Sequence, residues 1–286
     1  MTWRIERCEH GEITMSLDIR WICAVGILLG GTTGFGDRSR LTAAPETGPR
    51  NVVVVELFTS EGCSSCPSAD DVLSQLAHRQ PVPGVEVLAL GEHVDYWDRL
   101  GWRDPFSSAA FSARQSNYDA RVFHANQVYT PQLVIDGWLE RVGSNARAVH
   151  GAIEQAAMSP KAAVSVTAQR GDEHDMHIEL RVNTPPSPID DTLDAVIAVT
   201  EDNLSTEVRR GENGGRTLRH NGVVRSLTTI GTWTRQEPAS SMKASVPWDR
   251  AWKPADIRVI AFLQERQSRH IVGAGSAGLD PHAATK

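Results

Sequence analysis

The residues with the most specific chemistry are Cys63 and Cys66, in the run Glu61-Gly-Cys-Ser-Ser-Cys-Pro67. Two cysteines three positions apart at a helix start are close enough to close as a disulfide or open as a dithiol. The amino end of a helix presents unpaired N–H groups and a partial positive charge, which stabilise a thiolate and lower the thiol pKa. Cys63, nearer the exposed turn, is expected to attack, and Cys66, one turn deeper, to resolve the mixed disulfide. Two other readings stand beside this one: a permanent disulfide that staples the turn, and a pair of metal ligands. Asp70 and Asp71 in the first helical turns suit the dipole but oppose a thiolate, so an extreme oxidising potential is not expected.

The elements that must position these sulfurs are legible on both sides. Residues 51–59 form a continuous β-branched run, the pattern of a strand buried on both faces. Ala69, Val72, Leu73, Leu76 and Ala77 then recur at helical spacing through Arg79, with Pro67 in the first turn, where a missing N–H costs nothing. Residues 85–90 read as a second buried strand, expected to run parallel to the first through a right-handed crossover. A helix at 107–121, a hairpin of 133–135 and 138–142 on the Asp136-Gly137 turn, and a helix at 146–158 follow. This order predicts an α/β thioredoxin-like core over residues 51–160. Short alternating runs at 164–168, 177–182, 194–200, 223–230, 243–246 and 257–264, separated by turns such as Pro185-Pro-Ser-Pro188, predict a C-terminal β-sandwich-like domain over 161–275. Residues 276–286 read as a disordered tail.

The first 36 residues differ from the rest. Arg20, the short apolar run 21–29 and the small-residue stretch 30–36 have the order of a secretory signal, and the run is too short for a membrane-crossing helix. A cleaved signal over 1–36 and a linker over 37–50 are expected, with Met15 the more natural start and no membrane span in the mature chain. Cleavage removes Cys8 and Cys23, so a periplasmic or secreted protein would keep only Cys63 and Cys66 of its four cysteines, in an oxidising compartment. The 29 basic and 35 acidic residues leave a formal charge of -6 without a Lys/Arg block, which argues against a nucleic-acid partner.

The run Glu56-Leu-Phe-Thr-Ser-Glu-Gly-Cys-Ser-Ser-Cys-Pro67, with His93-Val-Asp-Tyr-Trp-Asp98, Tyr129-Thr-Pro131 and Asp136-Gly137, resembles the DUF1223 family of secreted thioredoxin-like proteins of unknown function. The resemblance implies a thioredoxin-like fold and export, and supplies no substrate. It also implies that Thr130-Pro131 is cis and faces the cysteines, where a backbone edge can meet a bound peptide. By analogy with the buried acid of thioredoxins, Glu56 could exchange a proton with Cys66; the plain alternative is an exposed or salt-bridged side chain.

His93 follows the second strand, whose carboxyl end falls on the edge that carries the cysteines. It could stabilise a thiolate, donate a proton, join the sulfurs as a metal ligand, or be hydrogen-bonded structurally. Tyr96, Trp97 and Trp102 could wall a peptide site. The segment Gly211-Glu-Asn-Gly-Gly-Arg-Thr217 lacks the ending of a phosphate loop and reads as a structural loop.

The expected function is an exported thiol–disulfide oxidoreductase acting on protein or peptide thiols and disulfides with a redox partner protein. Catalysis would fall to Cys63, Cys66, Pro131, Glu56 and His93. The alternatives are a copper-binding or metal-delivery protein using Cys63, Cys66 and His93, since thiolates and imidazole suit soft copper, and a non-catalytic adaptor on the same fold. No Gly-rich fingerprint or haem-attachment signature is present, so no organic cofactor is expected.

Overall fold

A computed structural model of the protein describes residues 51–171, 174–184, 192–233 and 240–279. The expected signal and linker over 1–50, the turn at 185–188 and the tail beyond residue 279 lie outside the described residues.

The first half runs β1 (Asn51–Thr59), α1 (Pro67–Arg79), β2 (Val85–His93), α2 (Ala109–Tyr118), β3 (Gln132–Ile135), β4 (Leu139–Val142) and α3 (Ala146–Ala157). The side chains of β1 alternate between two cores. Val53, Val55 and Leu57 pack with Leu73 and Leu76 of α1 and Ile153 of α3. Val54 and Phe58 point the other way, Phe58 against Tyr118 of α2. A strand buried on both faces takes apolar residues at successive positions, which is why residues 52–55 do not alternate in polarity; Glu56 and Thr59 are buried polar exceptions. The helix expected over 107–121 starts later: Ser108 is extended and its hydroxyl caps Ala110 N–H at 3.2 Å. It is followed by a π turn at Asp119–Phe123.

The second half supplies β5 (Ala162–Arg170), β6 (Asp175–Thr184), β7 (Leu193–Glu201), β8 (Leu204–Glu207), β9 (Thr217–His220), β10 (Val223–Trp233), β11 (Ser240–Pro247), β12 (Ile257–Glu265) and β13 (Ile271–Gly278). β8 and β9 pair in a small sheet of their own. The other strands join those of the first half in one 11-stranded mixed sheet, ordered β11-β6-β5-β13-β12-β7-β10-β2-β1-β3-β4.

The expected fold class, an α/β thioredoxin-like fold with a C-terminal β-sandwich-like domain, is therefore corrected: the architecture is a large mixed sheet that is continuous across residues 160–161. Its second half is joined to the first within that sheet through β10 and β2, at one register pair. β10 pairs parallel to β2 at Val223↔Gly91, and Gly91 N–H donates to Gly222 O at 2.7 Å. Val54, Leu88 and Leu90 share a core with Val196, Ala198, Ile260, Phe262 and Ile271. Alternation along a strand tells which side chains are buried but not which strand lies at its edge, so two sheets and one extended sheet look alike in sequence. The expected tail is also corrected in part, because residues 276–278 belong to β13.

Candidate functional site

The two sulfurs lie where β1 turns into α1. Cys63 N–H bonds Ser60 O at 3.2 Å, Cys66 N–H bonds Cys63 O at 3.2 Å, and Cys66 O accepts from Ala69 and Asp70 at 2.8 and 3.0 Å. The turn thus feeds directly into the helix, with Pro67 at its first position. Both cysteines are free thiols, and both are buried, Cys63 at 1% and Cys66 at 0% exposure. Only Ser64 and Ser65 of the motif are exposed.

The thiols have opposite characters. Cys63 is lowered to about 6, first because Cys66 hydrogen-bonds its sulfur, with further hydrogen bonds from Ser65 and Thr130 overcoming the cost of burial. Its sulfur lies 3.2 Å from Ser65 Oγ. Cys66 is pushed far up, first by burial, then by the neighbouring Cys63 and the charge of Asp70. The pair therefore holds its proton on Cys66 and its negative charge on Cys63.

Thr130-Pro131 is a cis peptide, and Pro131 is buried. Trp97 Nε1 donates to Thr130 Oγ1 at 2.8 Å, which ties this aromatic to the residue beside Cys63. Trp102 points elsewhere, donating to Glu61 Oε2 at 2.8 Å.

Glu56 is not brought to the cysteines. It occupies the α2 face of β1, whereas Thr59, three residues on, faces α1 and bonds Asp70 Oδ1 at 2.8 Å. Arg114 Nη2 and Nε hold Glu56 Oε1 at 2.5 and 2.6 Å, and Tyr118 O–H bonds its other oxygen. The buried carboxyl beside Cys66 is Asp70, whose pKa is raised by burial against the opposing charges of His220 and His93.

His93 is buried, with Nδ1 2.7 Å from Asp104 Oδ2 and its ring against Phe106 and His220, at centroid distances of 5.4 and 5.0 Å. Its partners are these groups and not a sulfur. Burial disfavours charge on the imidazole, but Asp104 outweighs it and raises the pKa; burial likewise opposes the Asp104 charge, but His93 and the Glu61 and Phe106 N–H groups hold its pKa low. Among the described residues, no group of three or more His, Cys, Asp or Glu is disposed to hold a metal ion, so Cys63, Cys66 and His93 do not form a ligand set.

Around the sulfurs runs a buried polar network that sequence reasoning missed. His220, at the end of β9, places Nε2 3.0 Å from Glu61 Oε1 and Nδ1 3.7 Å from Asp70 Oδ2. Glu61 N–H donates to Asp104 Oδ2 at 2.8 Å. The loop read as merely structural supplies Asn213, whose Nδ2 donates to the carbonyls of Glu61 and Cys63, both at 2.9 Å, and Glu212, which accepts Ser64 N–H at 2.9 Å. Gly211 lets this loop approach: at φ +79°, a Cβ there would stand 3.2 Å from that of Trp102.

Fold and site together define a mixed-sheet protein with an asymmetric dithiol at the start of a helix. The chain belongs to the DUF1223 family, described as proteins of unknown function, whose model matches residues 54–264. It is similar to the crystal structure of protein AGR_C_4864 from Agrobacterium tumefaciens, at 26% identity and a TM-score of 0.62 over 84% of this chain and 99% of that one. It also resembles HBP35 of Porphyromonas gingivalis, at 15% identity and a TM-score of 0.61 over 83% and 79% of the two chains, a likeness of fold alone. No curated protein matches this chain. Among the described residues, no helix is long and apolar enough to cross a membrane.

Proposed function

We propose that the protein is an exported thiol–disulfide oxidoreductase that works through Cys63 and Cys66. The carrying observation is the asymmetric pair at the start of α1, where Ser65 Oγ lies 3.2 Å from the Cys63 sulfur, the Cys63 thiol is lowered and the buried Cys66 thiol is raised. The Cys63 thiolate attacks one sulfur of a substrate disulfide, forming a mixed disulfide and expelling the other sulfur, which takes up a proton. Cys66 then gives up its proton and attacks Cys63, closing the Cys63–Cys66 disulfide and releasing the second substrate thiol. Two electrons pass from protein to substrate, and a redox partner protein with a dithiol restores them; the oxidised protein runs the same steps in reverse on a substrate dithiol. Pro131 would present the substrate-facing backbone edge, and the signal-like order of residues 20–36 supports a periplasmic or secreted location.

The burial of both sulfurs favours a second reading, a non-catalytic adaptor. Insulin reduction and oxidative refolding, run with the wild type and Cys63→Ser, separate the two. The oxidoreductase reading expects turnover that Cys63→Ser abolishes and a mixed disulfide that Cys66→Ser traps. Absence of any catalysed exchange, with both thiols refusing iodoacetamide in the native protein, would leave the adaptor.

A further inference from the structure

A second site lies away from the sulfurs, in a cleft of about 560 Å³ between the loop that enters α2 and strand β10. That volume falls within the range of roughly 300–1,000 Å³ usual for small-ligand sites. Its polar feature is Arg225. In the β10–β7 ladder, Val224 pairs with Thr200 and Ser226 with Val199, so Arg225 is the extra residue of a β-bulge. A bulge re-aims a side chain that regular alternation would send elsewhere. The Arg225 guanidinium is set over two rings, 5.3 Å from the centroid of Phe106 and 5.6 Å from that of Trp252. Among the described residues its one ion pair is through Nε, 3.5 Å from Glu201 Oε2, and neither terminal nitrogen has a hydrogen-bond partner. Two neighbouring rings and an unused pair of donors leave a planar fork at a cleft wall, the chemistry that receives a carboxylate through two parallel hydrogen bonds.

The rest of the cleft sets the ligand's other properties. Phe111 and Leu227 supply an apolar wall, and Asp249 stands at the rim as an exposed carboxylate. Glu201 and Asp249 already outnumber the one cation, so a single added negative charge, held by the fork, is repelled less than the double charge of a phosphate monoester. We propose that the cleft binds a small organic monocarboxylate, its carboxylate on the Arg225 fork and its apolar body against Phe111 and Leu227. This inference does not depend on the redox reading.

Titration calorimetry of the full chain with phenylacetate and hexanoate, and with the neutral phenylacetamide and hexanamide, tests it. Both acids should bind, and each amide should bind about tenfold or more weakly, because it cannot engage the fork as an anion. Arg225→Gln should remove the acid's advantage, and Ser226→Asp, which puts a competing carboxylate at the cleft wall, should weaken acid binding by about tenfold as well. Thermal melts identify which variants fold. Equal binding of acids and amides, no binding by either acid at millimolar concentration, or wild-type acid affinity in either folded variant overturns the proposal.

Discussion

The side chain of Asn213 donates a 2.9 Å hydrogen bond to the main-chain carbonyl of Cys63, from a position 150 residues further along the chain. The loop that covers the sulfurs therefore comes from the second half of the sheet, and access to Cys63 depends on how firmly that loop is held. Asn213→Ala leaves the Glu61 and Cys63 carbonyls without this donor, and the loss of two buried hydrogen bonds should cost about 1–3 kcal/mol. Alkylation of Cys63 by iodoacetamide should become faster in this variant, followed by mass spectrometry, while a bulky maleimide gains more than the small reagent. Unchanged rates would mean that the loop is not the cover.

The low pKa of Cys63 owes most to Cys66, ahead of Ser65 and Thr130. In the wild type, the rate of Cys63 alkylation should rise with a midpoint near pH 6. Replacing Cys66 with Ala removes the leading hydrogen bond, and the midpoint should move up toward the ordinary thiol value of 9.0. A midpoint that stays put would assign the activation to Ser65, Thr130 and the helix terminus.

The buried His93–Asp104 pair predicts a pH window of stability. The raised pKa of His93 contributes stability that is full below its ordinary value of 6.5 and lost as pH climbs through the folded value. The lowered pKa of Asp104 contributes stability that is full above its ordinary value of 3.8 and lost as pH falls through the folded value. The pair therefore helps most between those two limits. Asp104→Asn should cost about 3 kcal/mol in urea unfolding near pH 5, and less in alkaline solution. A loss that does not vary with pH would show that Asp104 acts only as a hydrogen-bond acceptor.

Glu92, on the α2 face, is buried and its pKa is raised well above 4.5, first by burial and then by the charge of Glu56, with Arg114 opposing. Here the stability contribution is full below the ordinary value and is lost as pH rises through the folded one, so at neutral pH this acid is a burden. Glu92→Gln mimics the protonated form and should stabilise the protein by on the order of 1–2 kcal/mol at pH 8, with the gain vanishing in acid. Destabilisation at pH 8 would mean that Arg114 needs both carboxylates charged.

How much of this was legible in the sequence depends on how far the contacts reach along the chain. β1, α1 and the hairpin of β3 and β4 follow from local patterns, because burial on two faces, helical spacing and turn residues are all encoded within a dozen positions. β13 escaped notice: Ile271-Val-Gly-Ala-Gly-Ser-Ala-Gly278 has few bulky side chains. Its smallness is structural, since a Cβ at Gly275 would stand 2.4 Å from Val164 O on the neighbouring strand. At the site, the cysteines were readable from their spacing and Pro131 from the family resemblance. Glu56 was recognised as an acid in a buried strand, and of its two readings the salt-bridged one describes the structure; strand parity counted against Thr59 distinguishes the two faces. Asp104, His220 and Asn213 carry no motif and meet only through chain reversals of up to 159 positions, as between Glu61 and His220.

The seam between β2 and β10 decides what can be removed from this molecule. Cutting the chain after residue 160 would strip Leu88, Leu90 and Val54 of the apolar partners they share with β7, β12 and β13. It would also take Gly222 from the Gly91 N–H and bare the margin of β2, a template for intermolecular pairing. An excised cysteine-bearing fragment would therefore clump before it could report on sulfur chemistry.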